Sequence, residues 1–270
     1  MCSLDDIETE LSSSDDLRLT IIREIGGRFA VALFAKSGSG EASQLELGGS
    51  GTLVMAGESH YILTAAHVWE FLKKANQIGI TITDNIDHAF FMDVRAIVPT
   101  VEVKATIWNE WGPDLIFLKI PAEYAGTIKA FKGFYSPAVD GESVDLPKEV
   151  IENRVLLGAP YELGTFTQSH ADLRIDGCFT DPSVPPVSKG DYDFLDLVVA
   201  TPSDTALKSY GGMSGGGVWR VLIYCSQVTN RIAWSQRLIG VAFYELANID
   251  GCRIVRCHGP QSVGDKFPTD

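Results

Sequence analysis

The chain has 270 residues, is 45% hydrophobic and 21% charged, and carries a formal net charge of −13 at pH 7. That balance excludes intrinsic disorder and leaves length for one large domain or two small ones. An acidic chain without a Lys/Arg cluster lacks the footprint for nucleic acid, and no apolar run reaches the ~18 residues that span a bilayer, so neither partner is expected.

Residues 1–18 are rich in Asp, Glu and Ser and read as a solvated acidic arm, with a short helix over Leu4 to Leu11 capped by Ser3. Ile21-Ile22 and Phe29 to Phe34 read as strands around a Gly26-Gly27 turn. Leu45 to Met55 is the next strand, with Gly48 to Gly51 marking a bulge or a close backbone approach. Tyr61 to Thr64 follows, and Val68 to Ala75 has the period of a short helix. Ile78 to Thr83, Ala89 to Val98, Val101 to Trp108 and Asp114 to Lys119 complete the strands of this half. Their number and turn signals suit a small antiparallel barrel over residues 19–120.

Residues 121–150, with Pro121, Pro137 and Pro147, read as a connector. Strand texture restarts at Arg154 and continues through 164–168, 171–179, 194–200, 218–228, 232–243 and 253–256, giving a second half over residues 151–258. Residues 259–270 read as a polar tail, few helices are expected, and no internal repeat is visible. The five cysteines are odd in number and not spaced as a disulfide scaffold, and no secretory signal is visible. Together these point to a reducing compartment and a cytoplasmic location.

Three stretches carry chemistry. In Ser209-Tyr-Gly-Gly-Met-Ser-Gly-Gly-Gly-Val218 the glycines put Ser214 on a tight turn whose backbone N–H groups can face a negative oxygen. Tyr61-Ile-Leu-Thr-Ala-Ala-His67 delivers a histidine from an apolar strand, and Asp114 opens another. A serine nucleophile needs a base near neutrality and a carboxylate to orient that base.

On Gly51-Thr-Leu-Val54, Leu63-Thr-Ala-Ala-His67, Asp114-Leu-Ile-Phe-Leu-Lys119 and Gly212-Met-Ser-Gly-Gly216, in that order, the chain resembles the trypsin-like (chymotrypsin-fold) serine peptidases over residues 20–258. The resemblance implies an all-β fold of two six-stranded antiparallel β-barrels with the active site in the cleft between them. It implies a serine endopeptidase with His67, Asp114 and Ser214 as catalytic triad, the N–H groups of Gly212 and Ser214 as oxyanion hole, and an acyl-enzyme on Ser214. The substrate is then a peptide or protein, and no cofactor or metal is required. By position, Lys208 falls at the base of the substrate pocket, and Ala242, Phe243 and Tyr244 fall on its wall. Met213 stands where digestive members carry the aspartate that receives a newly cut N-terminus, so activation by that route is not expected. A peptidase in the cytoplasm calls for narrow specificity or a regulatory protein partner.

Other readings of the same residues stand beside this one. A non-enzymatic peptide- or protein-binding module of the same fold is the alternative, since fold does not fix function. An esterase with the same triad is another, although the serine comes last here and first in α/β-hydrolases. His60, His88, His170 and His258 read as surface or structural histidines, and His170-Ala-Asp172 offers too few ligands for a metal.

Overall fold

The computed structural model describes all of the chain except residues 1, 14, 39–43, 83–88, 105–110, 141–145, 167–170, 181, 201–206, 208, 247–251 and 270. Two helices come first, α1 (Leu4–Ser13) and α2 (Asp16–Phe29). The first half then runs β1 (Ala30–Ser37), β2 (Gln44–Ala56), β3 (Ser59–Thr64), α3 (Ala66–Leu72), β4 (Gln77–Thr81), β5 (Ala89–Asp93), β6 (Val98–Lys104) and β7 (Asp114–Ile120). Helices α4 (Ala122–Lys129) and α5 (Pro137–Asp140) lead to the second half. It holds β8 (Ile151–Gly158), the short pair β9 (Thr165–Phe166) and β10 (Ala171–Asp172), β11 (Asp176–Thr180), β12 (Val187–Lys189), β13 (Tyr192–Ala200), β14 (Gly217–Cys225), β15 (Ile232–Glu245), β16 (Cys252–His258) and α6 (Pro260–Lys266).

The protein is mostly β, built on two antiparallel sheets of seven strands, ordered β5-β4-β1-β2-β3-β7-β6 and β11-β8-β14-β15-β16-β13-β12. The two edge strands of the first sheet, β5 and β6, are separated in the chain only by residues 94–97, a 3₁₀ turn and one residue. The edges of the second, β11 and β12, are separated by residues 181–186. Each sheet therefore curls until its edges are neighbours in the chain. With β5/β6 and β11/β12 each counted as one interrupted strand, the pairings of the two halves are identical. That repeat lies in backbone pairing alone, which is why the residues do not show it.

One core fills the first sheet under α3, with Leu33, Leu53, Ile62, Leu72 and Leu118. A second joins the halves: Leu63, Leu115 and Phe117 meet Val155, Trp219 and Val221. Phe29 of α2 closes it, stacked on Trp219 at 5.3 Å and edge-on to Tyr135 at 5.9 Å.

The structure corrects several expectations. The expected helix near the N-terminus is present and capped by Ser3, but it is docked and not a free arm. Ile7 is fully buried, and α1 is closed by a reciprocal cap in which the Ser3 N–H donates to the Asp6 carboxylate at 2.8 Å. Ile21-Ile22 is helical, because Leu17, Ile21, Ile25 and Phe29 form a stripe at helical spacing that the second core accepts. Gly26 sits inside α2 and not in a turn: it faces Ile175, and a Cβ there would lie 3.0 Å from that side chain. The tail at 259–270 contains α6, whose Val263 is buried and whose first turn is held by the buried Asp193, at 2.6 Å from the Ser262 N–H. Six α-helices among the described residues exceed the few expected. Cys2 and Cys225 are joined by a disulfide, which ties α1 to β14 and removes one support of the expected reducing compartment. No helix among the described residues is long and apolar enough to cross a membrane.

Candidate functional site

β3 is covered on both faces, so Tyr61 to Thr64 are all buried. The chain then turns on Ala65 and Ala66, both without exposure, and starts α3. These small residues let the first turn of α3 lie against β7. Ala65 has no side chain to cap the helix. Asp114, the first residue of β7, does it from across the sheet: its Oδ1 accepts the His67 N–H at 2.8 Å. Its Oδ2 lies 2.5 Å from His67 Nδ1. Two bonds to one residue fix the rotamer of the carboxylate and the plane of the imidazole together. The Asp114 side chain is 3% exposed and that of His67 36%, so the ring spans from a buried partner to the surface.

The Ser214 turn packs against the same segment. The Ser50 N–H of β2 donates to the Ser214 carbonyl at 2.7 Å. A Cβ on Gly49 would lie 2.7 Å from that carbonyl oxygen and 2.7 Å from Val68, the neighbour of His67. His67, Asp114 and Ser214 are thus brought to one place from three parts of the chain. Among the described residues no hydrogen bond joins the Ser214 hydroxyl to His67.

The turn itself is held by its carbonyls. Gly212 and Gly215 have φ of +88° and +87°, a region open to glycine and strained for other residues. The Gly211 carbonyl accepts the Tyr161 N–H at 2.8 Å, and the Met213 carbonyl accepts the Gly216 N–H at 2.8 Å. A trans peptide points its N–H opposite to its C=O. The Gly212 and Ser214 N–H groups are therefore turned the other way, and among the described residues neither has an acceptor. Met213, between them, is buried and donates its own N–H to Tyr210 O at 3.0 Å.

Ser50 is the hub of this arrangement and is fully buried. Its hydroxyl donates to the Gly212 carbonyl at 2.7 Å and accepts the Ala159 N–H at 2.8 Å. Its carbonyl accepts the Thr64 hydroxyl at 2.7 Å. Sequence reasoning saw a close backbone approach at Gly48 to Gly51, and it missed the serine inside that run. Nothing in the sequence marks the Tyr161 amide.

The pocket residues separate. Lys208 lies outside the described residues. Ala242 is buried and acts through its backbone, accepting the Gly215 N–H at 2.7 Å and donating to the Gly216 carbonyl at 2.9 Å. Phe243 is buried against His258 at 4.8 Å, while Tyr244 is partly exposed. Beyond it, Glu245 accepts the Tyr210 N–H at 3.1 Å and pairs with Arg253, which stitches the segment before Ser214 to β15.

Of the remaining histidines, His60 and His258 are both buried, and His88 and His170 lie outside the described residues. Burial pushes the Cys178 thiol up to about 12 and the Cys257 thiol well above its ordinary range, which leaves both unreactive. Among the described residues, no group of three or more His, Cys, Asp and Glu gathers to hold a metal. No protein-family model matches the chain, and no curated protein matches it either.

Proposed function

We propose that the protein is a serine endopeptidase of the trypsin-like kind, working through His67, Asp114 and Ser214 without a cofactor. The observation that carries the reading is the combination at one place of a doubly bonded His67–Asp114 pair and a serine turn offering two amide donors that have no acceptor among the described residues. The matching pairings of the two halves support two barrels of six strands, with the site across their junction.

In this reading His67 Nε2 takes the Ser214 proton as Oγ attacks the carbonyl carbon of a peptide bond. Asp114 keeps the other ring proton on Nδ1 and balances the imidazolium that forms. The developing oxyanion sits between the Gly212 and Ser214 N–H groups. His67 then gives its proton to the leaving amine, and water releases the acyl group by the same route in reverse. Both oxyanion donors are held by backbone bonds that involve no charged partner, and Met213 has none to offer, so the site is competent as made.

A binding module of the same fold is the second reading. The absence of a bond between Ser214 and His67 is the observation on its side, although such bonds are often long in a free enzyme. Labelling with a fluorophosphonate probe separates the two. The peptidase reading expects wild-type labelling that Ser214→Ala and His67→Ala both abolish. A folded wild type that takes no label supports the binding module.

A further inference from the structure

We infer that His258 is a positioning residue for the candidate catalytic aspartate: its Nε2 accepts the backbone N–H of Asp114 at 2.9 Å and so fixes the carboxylate that orients His67. The inference rests on the peptidase reading for its catalytic consequence and on geometry for the contact itself.

His258 ends β16 in the second half, and Asp114 begins β7 in the first, so this bond crosses between the sheets. The ring is fully buried. It is packed between Phe243 at 4.8 Å and Phe194 at 5.3 Å, with Tyr192 at 5.9 Å. A ring wedged among three aromatic side chains has one position. Since Nε2 accepts, the proton of the neutral ring is on Nδ1, and among the described residues Nδ1 has no partner. A buried donor without an acceptor is costly, so a site that served packing alone would be better filled by a phenyl ring. What the imidazole adds over phenylalanine is the acceptor at Nε2. Burial holds its pKa down to about 4, which keeps that acceptor available across the neutral range.

Without Nε2 the Asp114 N–H loses the acceptor that ties it to the second half, and the segment Gly112 to Asp114 is free to shift. The Asp114 carboxylate moves with it, and so do both of its bonds to His67. Small displacements of this kind cost catalytic groups one to two orders of magnitude in rate.

The test compares wild type with His258→Phe, which keeps the ring and removes the acceptor, and His258→Gln, which restores an acceptor near Nε2. Fluorophosphonate inactivation gives a maximal rate and a half-saturating concentration for each. His258→Phe is expected to slow the maximal rate about 10- to 100-fold with the half-saturating concentration unchanged, and His258→Gln to recover to within about threefold of wild type. Proton NMR of the His67 Nδ1–H follows the His67–Asp114 bond without need of activity. Its low-field resonance is expected in wild type and His258→Gln and shifted or lost in His258→Phe. If His258→Phe does not fold, His258→Leu takes its place. A folded acceptor-free variant with wild-type inactivation and an unmoved resonance overturns the inference and leaves the peptidase reading intact. A wild type that takes no label overturns the peptidase reading instead, and the resonance alone then decides the role of His258.

Discussion

Replacing Tyr161 with proline removes one backbone N–H at an exposed position and tests whether the proposed oxyanion site is built by backbone. Tyr161 opens a 3₁₀ turn after Pro160, whose φ of −63° and ψ of 133° tolerate a following proline. The exposed side chain, 58% accessible, contributes little to folding. The amide matters more, since it donates to the Gly211 carbonyl at 2.8 Å. Proline puts Cδ about 1.5 Å from that nitrogen, inside the space the bond now spans, so the carbonyl must swing away. The Gly211–Gly212 peptide turns as one plane, and the Gly212 N–H leaves the site. Loss of one oxyanion donor costs about 3 kcal/mol of transition-state stabilisation, or about 10²- to 10³-fold in rate. Tyr161→Ala keeps the amide and is expected within about 0.5 kcal/mol of wild type in stability and close to it in rate. The assay is fluorophosphonate inactivation of both variants beside their thermal unfolding. A folded Tyr161→Pro that reacts within threefold of Tyr161→Ala would refute the reasoning.

Ser50→Ala leaves the Ala159 N–H without its acceptor and the Gly212 carbonyl without its donor, at a side chain that is itself fully buried. It should lower stability by about 2–4 kcal/mol in urea unfolding, and a loss below about 0.5 kcal/mol would mean the hub is not needed. The His258 pKa of about 4 lies below the ordinary 6.5, held down by burial against the opposing pull of Asp114 and Asp193. The unfolded chain therefore binds this proton first as pH falls, and stability is full above about 6.5 and declines between 6.5 and 4. This one group accounts for roughly 3 kcal/mol across that window, and His258→Phe should flatten the corresponding part of the curve in chemical denaturation at several pH values. Reduction of the Cys2–Cys225 disulfide frees the end of α1 from β14, so amide exchange in α1 should quicken on adding dithiothreitol while β7 stays protected. Equal exchange with and without reductant would show that Ile7 alone holds the helix.

The side chains of the candidate site were legible in the sequence, because a nucleophile, a base and an orienting carboxylate are restricted to a few residue types. His67 and Asp114 were found from such types and their order, and the structure brings them together. The residues that hold them were not legible. Ser50 acts through one hydroxyl on two backbone groups, Tyr161 through its amide and Ala242 through both of its backbone groups, and a backbone contact leaves no mark on residue choice. His258 had the right residue type, but no neighbouring motif pointed to Asp114, which is 144 residues away. Most strands fall where they were read, but Ala89 to Val98 and Ala171 to Phe179 are each broken into two. Ile21-Ile22 was misread because a β-branched pair beside Gly26-Gly27 has strand propensity locally, while the longer stripe from Leu17 to Phe29 is helical. The docking of the end segments was missed for a similar reason, although the first helix and its Ser3 cap were read: their polar composition hides single anchors, Ile7 in α1 and Val263 in α6.

The ties between the two halves are reciprocal, and that bears on how such a site keeps its geometry. Ser50, on a strand of the first sheet, holds the Ser214 turn that belongs to the second. His258, on a strand of the second, holds Asp114 of the first. A sliding of one sheet on the other would strain both ties, so the three candidate catalytic residues are referenced to one another and not each to its own sheet. The shared core of Phe29, Tyr135 and Trp219 resists the same sliding by packing, since rings at 5.2–5.9 Å from one another cannot shift without opening voids. Burial supplies most of the free energy at this junction, because it grows with area, and the few buried hydrogen bonds supply its register, because they fail beyond about half an ångström. The α2 helix is thus more than a covering element. By placing Phe29 between the halves it fixes the spacing at which Ser50 and His258 can both reach their partners.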